Sequence, residues 1–136
     1  MKLFVICSKH FYHKLPETIA FLEQQGHQIT PPNCYDDPFK EEEMKLVSKE
    51  AHSQWKGAMI RLQKEKVDMN DGVLVMNYEK NGQANYIGGA TFLEIFRAWD
   101  SGKKIFLFNP IPDNIFKDEL HGMNPTIIHQ NFSKIQ

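Results

Sequence analysis

No stretch of this chain reads as a membrane span. The apolar run from Leu3 to Cys7 is far short of the roughly 20 residues a bilayer requires, and Lys9 and His10 interrupt it at once. Cysteine is equally scarce. Cys7 and Cys34 are the only two, too few for a disulfide framework, and nothing before them reads as a secretory signal, so a cytoplasmic protein with both thiols reduced is expected. Charge of one sign is missing as well: Lys and Arg number 16 against 17 Asp and Glu. That balance argues against a nucleic-acid binder, which needs a basic surplus to hold the phosphate backbone. The chain has no CxxC or HExxH, no GxGxxG after its first apolar run and no P-loop lysine, which removes the usual zinc, dinucleotide and P-loop signatures. His10 and His13 form an HxxH spacing near Cys7, but on a loop and without further ligands, so no metal site is expected.

What is present is the composition of a packed globule. With 41% apolar and 12% aromatic residues over 136 positions, the chain suits a single domain covering 1–136. Leu3-Phe4-Val5-Ile6 reads as a strand buried on both faces. Pro16 and Glu17 open a helix that carries Leu15, Ile19 and Leu22 and stops at Gly26. His27 to Thr30 is a weaker strand, broken by Pro31 and Pro32. Asp37 is then a plausible cap, with Pro38 in the first turn and Glu41, Glu42 and Glu43 at the positive end of a long helix. On that helix Met44, Val47, Ala51, Trp55, Ala58 and Leu62 recur at helical spacing, a stripe expected to pack on the core. Val73 to Met76 is a third strand. A helix from about Gly89 to Ser101 presents Phe92, Leu93, Phe96 and Trp99 as its apolar side, and Ile105 to Phe108 is a fourth strand ended by Pro110 and Pro112. Asn114 to Met123 suits a short helix or lid, and Thr126 to His129 a last strand.

Strands alternating with helices specify an α/β domain of three layers. Its sheet should be four- or five-stranded and mainly parallel, in the order 2-1-3-4 with a possible fifth, as in flavodoxin-like and other Rossmann-like folds. The order reverses between the first and third strands, and ligands bind at the carboxyl ends of strands there. That rule gathers Cys7, Ser8, Lys9 and His10 with Asn77, Tyr78 and the loop to Gly89. Gly88 and Gly89 allow backbone N–H groups to approach a ligand at the start of a helix. Glu94, near the opening of that helix, is placed to act as nucleophile or base on a sugar carbon, although periodicity alone also fits a surface glutamate. Asn77 could hydrogen-bond a ligand and Glu79 could protonate a leaving group, while Tyr78, Tyr86, Phe11 and Tyr12 could stack on a base or serve as packing. Asp71 starts the third strand at the opposite edge and is expected to be structural.

The segments KLFVICS, DGVLVMNY, GGATFLE and GKKIFLFNPIP resemble the nucleoside 2-deoxyribosyltransferase-like superfamily, which includes the deoxynucleoside 5′-monophosphate N-glycosidases. The resemblance spans most of the chain apart from the long middle helix. It implies a Rossmann-like sheet and a glutamate nucleophile on the helix after the third strand, a role that falls on Glu94. It further implies that Ser8 and its neighbours hold the sugar or a 5′-phosphate, that Gly88 and Gly89 close around the sugar, and that the protein is a homodimer or larger homo-oligomer. The small-molecule partner would be a nucleoside or nucleotide, and the chemistry needs no cofactor. The first loop reads CSKH where many relatives have a glycine before the serine. Relatives often handle the base with an aspartate, and none lies between Asn77 and Glu94, so Glu79 or water would take that part. The same gap motivates the alternative of a non-catalytic nucleotide-binding or sensor domain.

Overall fold

A computed structural model describes residues 1–136. Apolar runs at Lys2–Ile6 (β1), Gly72–Val75 (β3) and Lys104–Leu107 (β4) form the centre of the sheet, with Gln28–Thr30 (β2) and Thr126–Ile127 (β5) at its edges. All neighbours are parallel, in the order β2-β1-β3-β4-β5. The alternation of side chains along each strand divides the core into two layers. Leu3, Val5, Leu74, Met76 and Phe106 point to one face and pack with Leu15 and Leu22 of helix α1, Leu15–Gln24. Phe4, Ile6, Val73, Val75, Ile105 and Leu107 point to the other. There they meet helix α3 (Lys49–Asp68) through Val67, α4 (Gly89–Asp100) through Ile95 and Ala98, and α5 (Lys117–Met123) through Leu120.

Two helical expectations need correction. The long helix of the middle segment is two helices, α2 (Lys40–Val47) and α3, and its first cap is Phe39, not Asp37. The break falls at Ser48, whose backbone is extended and whose Oγ accepts from the Ala51 N–H at 3.0 Å. A serine that takes a new N-cap competes with continuation of the helix. The stripe from Met44 to Leu62 is also not core. None of its six residues is buried, and Val47 is 67% exposed. Only Gln63 and Val67, in the last turns of α3, are buried.

The face of α4 is inverted in the same sense. Its buried residues are Thr91, Glu94, Ile95 and Ala98, whereas Leu93, Phe96 and Trp99 are 43%, 45% and 49% exposed. The most apolar side of the helix therefore faces outward, and the side carrying the glutamate faces in. Asp71 behaves as expected: its carboxylate accepts from the Lys2 N–H at 2.8 Å at the amino edge of the sheet.

Close packing of the central strands shows at Gly72. A Cβ there would lie 2.8 Å from the Lys104 carbonyl oxygen and 3.0 Å from the Lys104 Cβ, both fixed by the β3–β4 ladder. Gly72→Ala should therefore cost about 1–3 kcal/mol. Gly57, inside α3, has only the Arg61 guanidinium at 3.9 Å, so Gly57→Ala should stabilise by about 0.5–1 kcal/mol. Urea denaturation of the two variants checks both signs.

Candidate active site

The carboxyl ends of β1 and β3 open into a cavity of about 240 Å³, small for a ligand site. Its floor comes from three elements. The chain leaving β1 supplies Cys7, Ser8, Lys9 and His10, and the Ser8 hydroxyl accepts from the His10 N–H at 3.4 Å to start a 3-10 turn over Lys9–Lys14. The loop after β3 supplies Lys80, Tyr86 and Gly88, and the first turns of α4 supply Gly89, Ala90, Thr91 and Glu94. Gly88 is the N-cap of α4 and offers no side-chain acceptor to the first turn, so backbone donors of that turn are available to an oxygen-rich ligand. A Cβ on Gly88 would lie 2.9 Å from the Tyr86 hydroxyl. Glycine is thus what lets Tyr86 fold across the loop.

Glu94 is 5% exposed and lies in the cavity wall. Burial raises its carboxyl from the ordinary value to about 8, against the opposing influence of the Lys66 charge, the nearby Gln63 amide and the Lys56 charge. Gln63 is well placed to tune it. Its Nε2 donates to the Ala90 carbonyl at 3.2 Å, fixing the amide beside the helix start, while its Oε1 is buried with no hydrogen-bond partner. Burial also pushes the Cys7 thiol up, with the nearby Glu94 carboxylate adding to the effect, so Cys7 is not a thiolate nucleophile.

The rim is ionic. Glu41, on α2, accepts from Lys56 Nζ at 3.0 Å and lies 3.0 Å from His52 Nε2, both on α3, and its other oxygen is 3.5 Å from Lys9 Nζ. Burial disfavours the ionised form, but the hydrogen bonds from His52 and Lys56 and the charges of Lys56 and Lys9 outweigh it, leaving the carboxyl at about 2. Lys9 also contacts Glu42. The remaining wall is formed by Trp55 and Met59 of α3, by Tyr12, and by Asn33, Cys34 and Pro38 from the segment after β2. Tyr12 donates to the Asn33 carbonyl at 2.9 Å, joining the first loop to that segment.

The structure gathers Cys7, Ser8, Lys9, His10, Tyr86, Gly88, Gly89 and Glu94 around one cavity and leaves three expected residues outside it. Asn77 spends its side chain on a clamp between loops, with Nδ2 donating to the Asn109 and Pro110 carbonyls at 2.9 and 3.0 Å and Oδ1 accepting from the Asn109 N–H at 2.8 Å. Tyr78 packs edge-on against Phe11 at 5.3 Å and lies under Lys14. Glu79 is exposed and lines a neighbouring hollow with His13, Lys14 and Asn81. Lys80, the next residue, lines both that hollow and the cavity. Gln63, Glu41, Trp55, Lys56, Met59, Lys80 and Thr91 are lining residues that the pattern of the sequence did not mark. The one available signal was Gln63, a polar residue at helical spacing between Met59 and Val67. His10 and His13 gain no further ligand, as no group of three or more His, Cys, Asp or Glu is placed to hold a metal ion. No helix is long and apolar enough to cross a membrane.

Fold and cavity together define a Rossmann-like α/β domain with a buried carboxyl group at the topological switch point. No family model matches the chain and no curated protein matches it by sequence. Among solved structures it is similar to the CMP N-glycosidase BcmB of Clostridium botulinum, with 16% identity and a TM-score of 0.53, over 93% of this chain and 85% of that one. The likeness establishes the fold, which is the one implied by the resemblance to the nucleoside 2-deoxyribosyltransferase-like superfamily.

The raised carboxyl has a thermodynamic signature. Between pH 4.5 and about 8 the unfolded chain loses the Glu94 proton while the folded chain keeps it, so wild-type stability falls as pH rises through that window and levels off above it. Glu94→Gln lacks this titration. Its stability relative to wild type should climb by about 1.4 kcal/mol per pH unit across the window, read from urea midpoints at pH 4.5, 6 and 8. A difference that does not vary with pH would contradict the burial of an ionisable Glu94.

Proposed function

We propose that this chain cleaves the N-glycosidic bond of a nucleotide or nucleoside, with Glu94 as the nucleophile at the anomeric carbon and a 2-deoxyribosyl group as the preferred sugar. The observation that carries the reading is the Glu94 carboxyl, buried in the wall of a cavity beside Gly88 and Gly89 at the switch point of the sheet. The fold shared with a CMP N-glycosidase supports the same reaction class.

In this reading ionised Glu94 attacks C1′ as the bond to the base breaks, through an oxocarbenium-like state, and a glycosyl ester forms. Water then attacks C1′ of the ester, the C1′–O bond to Glu94 breaks and the water's proton passes to the hydroxide left when the base was protonated, releasing the sugar and returning the carboxylate. An incoming base in place of water would give transfer. Absence of a 2′-hydroxyl removes an electron-withdrawing group next to the developing positive charge, which favours a 2-deoxy sugar. Gln63 positions the nucleophile, and the flat faces of Trp55 and Tyr86 suit a base or sugar ring. Glu79 lies outside the cavity, and in this reading water is the proton donor to the departing base.

Incubation with ribonucleosides, 2-deoxyribonucleosides and their 5′-monophosphates, followed by chromatography of free base, tests the proposal. Release is expected, and Glu94→Gln should reduce it by about a thousandfold or more. Because attack needs the ionised carboxylate and its pKa is about 8, the rate should rise with pH below that value and then level off. Thermal stabilisation by nucleotides without release of base would instead identify a non-catalytic nucleotide-binding domain.

A further inference from the structure

Departure of a base from C1′ leaves the electron pair of the broken bond on the base, and a hydrogen-bond donor fixed where that charge develops lowers the barrier. Three lysines, Lys9, Lys56 and Lys80, line the cavity. Their surroundings set Lys56 apart. Lys9 is engaged by two carboxylates, Glu41 and Glu42, and Lys80 lies against the Tyr86 ring, 4.5 Å from its centroid. Lys56 gives one hydrogen bond, to Glu41 Oε2 at 3.0 Å, so the other N–H donors of its ammonium group are free for a ligand.

The position of Lys56 is held from one side. The same Glu41 oxygen is 3.0 Å from His52 Nε2, the His52 ring stacks on Trp55 with centroids 6.3 Å apart, and Lys56 Nζ stands 5.9 Å from the Trp55 centroid. The wall around it suits a flat, weakly polar ring. Trp55 and Met59 line the cavity beside Lys56, and Lys56 and Met59 also border an adjoining apolar hollow with Ile60, Phe92, Leu93 and Phe116. Gln63, about two turns further along α3, lies in the same wall and is bonded to the Ala90 carbonyl at the start of α4. A sugar over Glu94 and Gln63 can therefore extend its base along α3 toward Lys56, whose charge is felt at the Glu94 carboxyl.

We propose that Lys56 stabilises the departing base, donating a hydrogen bond to the ring nitrogen or carbonyl oxygen on which the electron pair of the C1′–N bond settles. The proposal rests on the reading of the cavity as a glycosidic site. The ammonium group keeps its proton, and water then protonates the base as in the reaction above. Glu41 acts through Lys56 as a positioning residue, holding the ammonium in the wall without touching the substrate. The contact to the base thus comes from α3, the helix outside the segments that resemble the superfamily, and it stands where the loop between Asn77 and Glu94 offers no aspartate.

Chemical rescue separates a donor from a structural contact. Lys56→Ala leaves Glu41 paired with His52 and Lys9, and it should slow base release from 2-deoxyribonucleosides and their 5′-monophosphates by about a hundredfold or more, the scale of one donor aimed at developing charge. Added n-propylammonium, which returns N–H donors to the vacated space, should restore most of the rate. Tetramethylammonium, with the same charge and no donor, should not. Melting curves confirm that the variant is folded. Release by Lys56→Ala at the wild-type rate, a loss that n-propylammonium leaves unchanged in the folded variant, or equal rescue by both cations overturns the proposal. In each of these cases the wild type still releases base, so the glycosidic reading stands. Absence of release by the wild type sinks that reading and the role of Lys56 with it.

Discussion

Keeping one carboxyl group out of water at the carboxyl edge of a parallel sheet is the constraint on which the site depends. Glu94 can be buried only because α4 turns its less apolar side to the sheet, and that orientation leaves Leu93, Phe96 and Trp99 in solvent. Ile95 and Ala98, one and four positions further on, bind the same side of the helix to β3 and β4. They fix the direction of the glutamate as surely as any hydrogen bond. The unfavourable ionisation of Glu94 is then a direct result of where the helix packs, and Gln63 and Lys66 moderate it without removing it.

Around this buried acid the protein arranges charge unevenly. Glu41 gathers Lys9, His52 and Lys56 at one part of the rim, while Lys80 forms no ion pair at another. An acid that holds its proton near neutrality and one with an unusually low pKa share the cavity. Environments that drive two carboxyls apart in this way give them different chemical parts, one able to react and one fixed as a counter-ion.

Much of the fold was legible in the sequence because the apolar runs of β1, β3 and β4 are short, continuous and separated by helical patterns. That pattern is sufficient for a parallel sheet and, through its length, for the observed strand order. The helices were harder. Periodicity reports that a helix has an apolar side but not what that side meets, so the stripe from Met44 to Leu62 reads as core yet has no buried residue, and the most apolar side of α4 faces outward. Ser48 is unremarkable inside a helical pattern until its hydroxyl is seen to cap Ala51. In the site, the glycine pair followed by Glu94 carried most of the signal. Asn77, Tyr78 and Glu79 are close in sequence to the cavity yet do not line it, because Asn77 is taken up by the Asn109 loop and Tyr78 by Phe11, and Lys80, the next residue, does line it.

The break at Ser48 separates two kinds of wall. Helix α2 has no buried residue and reaches the first loop through the contacts of Glu41 and Glu42 with Lys9, whereas the floor of the cavity is continuous with the packed core. Hydrophobic packing strengthens in a cosmotropic salt, and charge pairing at a surface weakens in any electrolyte. The entrance and the base of this hollow therefore respond to their solvent in opposite ways, and the ease of access to the acid can change while the scaffold beneath it stays as it was.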